Sequence, residues 1–501
     1  MKTRGLFLSA LMMGAVMAGC SNEDVLNDIQ SEKKNGQQES YMAINIVSSD
    51  ATGSRAAGEE FKSGSEAEQA VNDLVLVFFK ADGTFYNAQN KKFSFSETSD
   101  EDETSVESKS DVVVVFESDQ VKPASFVALI NTGLQASTFI SQNTSIADVQ
   151  DMITDYKTTA KVNEVEKDFF VMSNSVYSDG SIQVAAPITD EMICSTRDAA
   201  EKNPAIAYVE RVAAKLEAKA SAEVTVEGKE VNLDGNNITL IPTITGMKFV
   251  HTNPNSYLLK NINGISEDWS DAANFRSYWA NSYVSDDAEN YPYNTYSYND
   301  AIANGAGDLT EYANENTSST ATKLMVTATI KAEKDKEPVD IYKYKGYYYT
   351  DEGLKKEIAS ILKGKGLKYT LDETEGDNWA NYIIVTHPEG VEQWEGTIGV
   401  TEDITVTDEV AAEIAKLEKV RWWNDGKCYF FVEVKHESNK FGVVRNHWYN
   451  LTINSISGLG TPVADPNDDI VPEKLEDEQY FVAAQVQILK WKMVSQSVSL
   501  E

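Results

Sequence analysis

Apolar residues in this chain come largely in short alternating runs, and that alternation limits the folds open to it. In "YMAINIV" (41–47), Met42, Ile44 and Ile46 share one face and Tyr41, Ala43 and Asn45 the other, the period of two that a strand requires. "VNDLVLVFFKADGTFY" (71–86) reads as a hairpin turning at Asp82-Gly83. "VVVVF" (112–116), "SFVALIN" (125–131), "FFVMSNSVY", "AEVTVEGKEVNL", "GMKFVHTNPNSYLLKNI", "LMVTATIKAE" (324–333), "CYFFVEVKH" and "HWYNLTINSI" continue the strand-like pattern. Helical periodicity is rarer. It is clearest in "DEGLKKEIASILKGKG", where Leu354, Ile358, Ile361 and Leu362 share a face and Gly364 stands near the stop. "DEVAAEIAKLEKV" (408–420) is a second helix, and "TSIADVQDMITDY" a third, with Ser145 and Asp148 spaced as a capping box. "AIAYVERVAAKLEA" (205–218) has helical propensity, but its valines leave it open. Many short strands with a few short helices predict a mainly β chain built as two β-sandwich domains.

The first twenty residues give an address. In "MKTRGLFLSALMMGAVMAGC", Lys2 and Arg4 precede an apolar run from Leu6 to Ala18. That run is too short to span a bilayer and reads as the core of a secretory signal. It ends in Met17-Ala18-Gly19-Cys20, which resembles the cleavage and lipidation box of a lipoprotein, with Met17 where Leu is usual. Cys20 is the expected lipidation site, and residues 1–20 the signal peptide. "SNED" (21–24) resembles the acidic tether of surface-exposed outer-membrane lipoproteins, and 21–40 is polar and without apolar period, a disordered tether. The reading then sets an N-terminal domain over 41–245, with its first strand at 41–47 and a loop at 48–60, and a C-terminal domain over 246–501.

That loop holds one arginine. In "IVSSDATGSRAAGEEF" (46–61), Arg55 is the only Arg between Arg4 and Arg197. It stands among Ser, Gly, Thr and Ala, a composition that makes a backbone flexible and cleavable. By itself this is equally a solvated side chain.

Composition excludes more than it assigns. The chain of 501 residues carries a net charge of −35, which repels nucleic acid and anionic lipid surfaces. Self-assembly of such a polyanion needs a specific interface. Cys194 and Cys428 are too far apart to predict a pairing and read as buried free thiols. The four histidines, His251, His387, His436 and His447, form no HExxH, and no CxxC pair, GxSxG or P-loop occurs. "DPNDD" (465–469) lacks the glycine turn and terminal Glu of a calcium loop and reads as a solvated linker. Trp422-Trp423, in a half-buried strand, should place one ring inward and one outward. No catalytic residue, cofactor or metal is expected, and the chain is not expected to be an enzyme.

Several segments together resemble the fimbrillins of Bacteroidales, in particular the major shaft subunit of the short, Mfa-type fimbria. They are "AVNDLVLVFFKADGTF", "FFVMSNS", "YVERVAAKLEA", "NFRSYWANS", "YKGYYYTDEGLKKEI", "VVRNHWYNLTINSISGLG" and "ILKWKMVSQSVSL". The resemblance runs over nearly the whole chain. It implies transthyretin-like topology in both sandwiches, export as a lipoprotein, and cutting of the loop after the first strand by an arginine-specific protease. Arg55 is in the matching place, so the mature chain would begin at Ala56. Loss of Met42, Ile44 and Ile46 with their strand would open a groove for the C-terminal strand of another copy. Such a groove, with bare backbone and apolar pockets, takes an added strand. The C-terminus (482–500) offers one: Val494, Val498 and Leu500 alternate with Ser495, Ser497 and Ser499, although Gln496 interrupts that face. Its apolar phase slips at Ile488–Leu489 and at Met493–Val494, predicting a bulge or break at each.

The expected partners are therefore copies of the same chain, accessory anchor and tip subunits, the protease, and host or bacterial surface receptors, in a cell-surface fimbrium whose precursor is lipid-anchored in the outer membrane and which supports adhesion and biofilm formation. Two other readings stay open. A glycan-binding surface lipoprotein would use some of the 8 Trp and 23 Tyr and leave Arg55 inert. An anchor or tip subunit would differ from a shaft subunit in keeping its first strand or in not donating its last.

Overall fold

A computed structural model describes residues 39–49, 64–93, 96–97, 106–117, 121–178, 182–227, 229–263, 280–283, 296–317, 321–332, 337–367, 378–417, 419–437, 440–470 and 492–500. The described chain is mainly β, in several sheets with a few short helices. The first sheet contains β1 (Glu39–Ser49), β2 (Leu74–Phe79), β3 (Phe85–Lys91), β4 (Val106–Glu117), β5 (Ser125–Ile130), β6 (Met172–Asn174) and β7 (Ala205–Arg211). Their order is β3-β2-β5-β6-β7-β1-β4, with Ser96–Glu97 beyond β4 and Ala186–Pro187 paired to β5. The predicted hairpin of β2 and β3 turns at Gly83, whose φ of 78° suits glycine, and Asp82 accepts from the Thr84 amide and hydroxyl.

This sheet folds over on itself. Four strands separate β2 from β4, yet the Phe78 and Phe116 ring centroids are 5.0 Å apart with perpendicular planes. Gln89 on β3 also donates to the Val115 carbonyl on β4 at 3.0 Å. One face thus closes into a core of Met42, Ile44, Ile46, Leu76, Phe78, Val114, Phe126 and Val209. Its back face is buried too, under Phe139, Val149, Leu258 and Leu259. That double burial is why "LVLVFF" is apolar at every position rather than alternating.

The second group of strands contains β8 (Ala213–Glu227), β9 (Asn236–Val250), β10 (Leu309–Asn314), β11 (Lys323–Lys331), β12 (Lys427–Glu433), β13 (His447–Ser457) and β14 (Lys492–Leu500). A four-stranded sheet, β10-β8-β13-β14, faces β9, β11 and β12 of a ten-stranded sheet. Leu216, Leu451 and Ile453 meet Phe249, Val326 and Val432 between them. At the far end of the larger sheet, Leu354, Ile358 and Leu362 of the helix Asp351–Gly364 pack on Tyr342, Ile383 and Val420, the face its periodicity predicts.

Four expectations shift. The segment left open between helix and strand is strand: Ala205, Ala207 and Val209 are buried while Ile206 is exposed, a period of two. The sheets divide at Val212 rather than at 245, because β7 and β8 form one nearly continuous run that passes from the first sheet to the second with no linker composition to mark the passage. The helix expected over 408–420 spans Asp408–Ile414 and gives way to a strand, Val420–Trp423. Cys194 is partly exposed rather than buried; Cys428 is buried, and both thiols are free.

Candidate functional site

β1 is an interior strand. Along its whole length it pairs antiparallel with β4, in eleven registered pairs from Glu39↔Glu117 to Ser49↔Val106. On its other side it pairs parallel with β7 in five, from Ile44↔Ala205 to Ser48↔Val209. Before β7 begins, Tyr41 exchanges backbone hydrogen bonds with Cys194, at 2.7 and 2.8 Å. Met42, Ile44 and Ile46 are wholly buried in the first core, and Ala43 on the opposite face is buried as well. The sequence anticipated the strand and its inward face. It did not anticipate the walls. Ala205 and Ala207, both wholly buried, stand beside Ile44 and Ile46, and Val112 and Val114 stand beside Ile44 and Met42. Small residues on β7 leave room that the two isoleucines fill. Removing β1 would therefore leave a slot between two strands rather than one bare edge.

Cys20, Arg55 and Ala56 lie outside the described residues. The chain is described again from Gly64, where Ser65 caps the short helix Glu66–Gln69 in a capping box with Glu68. Glu68 is buried and ties this helix to the second group of strands. It accepts from the Tyr312 hydroxyl at 2.5 Å and pairs with Lys215 at 3.1 Å, while its own carbonyl accepts from Arg211 Nε at 2.8 Å. Burial pushes its carboxyl pKa up, but the Tyr312 hydroxyl, the Ser65 amide and Lys215 together hold it below its ordinary value.

A second set of buried charges joins the same halves. Lys260 Nζ lies 3.1 Å from Glu210 Oε2 at the end of β7, and Arg445 lies 3.5 Å from Glu315, all four wholly buried or nearly so. Arg445 also donates to the carbonyls of Tyr257 and Leu258 and to Ser256 Oγ. Ser175 donates to Glu210, and Asn446 joins both halves, accepting from the Arg211 amide and donating its own amide to Ala213. Burial raises the Glu210 carboxyl despite Lys260 and Arg445. The signal for this seam was present as Glu210-Arg211 inside an apolar strand run.

The backbone of Val494, Val498 and Leu500 lies in β14, the outer strand of the four-stranded sheet. β14 runs parallel to β13 from His447↔Lys492 to Ile456↔Leu500. It passes through Met493–Val494 without a break; the irregularity is on β13, between Ile453 and Ser455. The slip at Ile488–Leu489 lies outside the described residues. β1 and β14 are in different sheets of the one chain, so the structure does not bring them together.

The histidines serve the fold. His436 Nδ1 meets the Tyr449 hydroxyl at 2.8 Å, His447 Nδ1 the Arg445 carbonyl at 2.7 Å, and His387 bridges the Glu395 carbonyl and Asp468. Trp423 is buried, donating to the Leu459 carbonyl, while Trp422 is half-buried and stacks on Tyr342. Among the described residues, no group of three or more His, Cys, Asp or Glu is placed to hold a metal, and no helix is long and apolar enough to cross a membrane.

The fold and site define a β-sandwich protein whose first strand completes a core from an interior position. Residues 421–497 match the family model described as major fimbrial subunit protein type IV, fimbrillin, C-terminal. This bears out the resemblance to the fimbrillins and supports a fimbrial subunit, without distinguishing the Mfa-type shaft protein. No curated protein matches. A putative cell adhesion protein from Parabacteroides distasonis is similar at 12% identity and TM-score 0.38, over 93% of this chain and 97% of that one. One from Bacteroides eggerthii is similar at 9% and 0.31, over 94% and 99%. The tip fimbrial protein Mfa3 from Porphyromonas gingivalis, with a C-terminal truncation, is similar at 12% and 0.26, over 57% and 78%. At these scores the likenesses carry no argument about function.

Proposed function

We propose that this chain is the structural shaft subunit of a surface fimbria, exported as a lipoprotein through Cys20, cut after Arg55 by an arginine-specific protease, and polymerised when the C-terminal strand of one copy replaces β1 of the next. The fimbria carries accessory anchor and tip subunits and serves adhesion and biofilm formation. One observation carries the reading. β1 completes a closed core from an interior position, and the chain that leaves it, 50–63, contains the locally unique Arg55. A cut there severs the covalent connection between β1 and the chain described from Gly64. It also separates the subunit from its lipid. The slot left between β7 and β4 exposes backbone donors and acceptors on both sides, a strong demand for a replacement strand.

The test is the N-terminus of surface-shed protein by mass spectrometry, which should begin at Ala56. An Arg55→Ala variant should stay lipidated at Cys20 and monomeric. Wild-type levels of polymer from that variant would sink the proposal. One observation favours the second reading, an anchor or tip subunit: β14 rests on its own β13, as it would in a copy that never donates it.

A further inference from the structure

We propose a register for the joint: the C-terminal strand of a second copy enters the β1 slot with Leu500 in the place of Ile46, Val498 in that of Ile44 and Gln496 in that of Met42, and Ala205 and Ala207 are the specificity-determining floor. This rests on the strand-exchange reading above and adds to it the fit of partner to site.

Direction comes from the ladders. The slot's longer wall is β4, with eleven pairs against five on β7. Antiparallel pairing is the more stable per residue, so the entering strand should run as β1 does, antiparallel to β4. Residue 500 then lies at the Ile46 end, and residue 492 points to the Glu39 end.

Register comes from size and polarity. Beside Ala205 and Ala207 the slot needs two large aliphatic side chains spaced by two. Within 492–500, Val498 and Leu500 are such a pair, and Val494 has Gln496 as its next neighbour on that face. With Leu500 at 46, Gln496 falls at 42. That position has a ladder partner on β4, Val114, but none on β7, which begins pairing only at Ile44. A glutamine there replaces a methionine of similar length and lack of branching, in a buried site that has a ladder neighbour on one side only. The opposite face agrees: Ser497 falls at Ala43, where the buried site admits only a small residue. Advancing the strand by two would put Gln496 between Ala205 and Val112 and carry Leu500 past Ala207, so that only Val498 of the pair would stand beside an alanine. Retracting it by two would leave only Leu500 of the pair beside the alanines, at Ala205, and take Val498 to position 42, which has no partner on β7.

The full chain, processed and polymerised, tests this by cysteine pairing. In the slot, position 45 stands opposite Asp111 on β4, which is exposed. The proposed register puts Ser499 there, the advanced one Ser497, and the retracted one Glu501. Asp111→Cys with Ser499→Cys should lock the subunit ladder against denaturant until reduced, whereas Asp111→Cys with Ser497→Cys or Glu501→Cys should not. Locking through 497 or 501 instead would overturn the register and leave strand exchange standing. Polymer that none of the three pairs locks would overturn both.

A size swap is the second arm. Ala207→Leu combined with Ile46→Ala keeps the uncut chain packed, and after cutting should lower polymer yield about tenfold, as an over-packed core site does. Leu500→Ala should restore the yield and Val498→Ala should not. Rescue by Val498→Ala alone would overturn the register, and no effect of Ala207→Leu would mean that the slot receives no strand.

Discussion

At the scale of single residues, Glu68 does more than its exposed neighbours suggest. It sits on the first described turn after the Arg55 loop and is held by Tyr312 and Lys215 of the second group of strands. It thus pins the segment that would become the new N-terminal arm. Replacing Glu68 with Gln removes the charge while keeping the shape. The expected cost is about 1.5–3 kcal/mol at neutral pH, the range for a hydrogen bond to a charged group, read by urea unfolding of the uncut chain. The pH dependence follows from the direction of its shift. A carboxyl lowered on folding contributes fully above its unfolded value, ordinarily 4.5, and loses that contribution as pH falls through the lower folded value. As pH falls from about 4.5 through the folded value, wild type should therefore lose stability more steeply than Glu68→Gln. Glu210, raised by burial, acts in the opposite sense: its contribution falls as pH rises from the unfolded value through the raised one. An acid profile unchanged by Glu68→Gln would show that the pair is not coupled to folding.

At the scale of elements, β1 and β14 contrast. β1 has a partner on each side and its inward face is wholly buried; β14 has a described partner only in β13. An outer strand can leave with the loss of one ladder, whereas an interior strand leaves two ladders and a core open. Donor and acceptor roles are thus unequal in the direction polymerisation needs. Deleting 494–501 from a subunit already cut at Arg55 should abolish the heat-sensitive ladder on gels while circular dichroism still reports a folded monomer. A persistent ladder would mean that the joint lies elsewhere.

At the scale of the whole molecule, β7 and β8 make one run that lines the β1 slot and then supports β13, the seat of β14. The buried pairs Lys260–Glu210 and Arg445–Glu315 close the seam where that run changes sheets. In a shaft, tension would pass through this seam from one joint to the next. Arg445→Ala leaves the buried carboxylate of Glu315 without its cation, a loss of about 3–5 kcal/mol. Calorimetry should then resolve two transitions where wild type gives one, as the halves lose their coupling. A single transition at the wild-type temperature would show that apolar packing alone joins them.

The chain's local patterns determined what depends on neighbours in sequence. The alternation at 41–47 marked β1 and its inward face, Asp82-Gly83 marked the hairpin turn, and Ser145 with Asp148 marked a capped helix. These are set by side-chain period and by hydrogen bonds three residues apart or fewer. Only the tertiary structure decided that 205–218 is extended, because its helical propensity is a small term beside the burial of Ala205, Ala207 and Val209 against β1 and β6. It alone placed β1 inside its sheet, since strand order depends on partners as distant as Asp111 and Ile206, and no local pattern names a partner. It alone turned Glu68, Glu210, Lys260, Arg445 and Glu315 from surface charges into a buried seam, because a charge is tolerated inside only where the fold brings its counter-charge and hydrogen-bond partners to meet it.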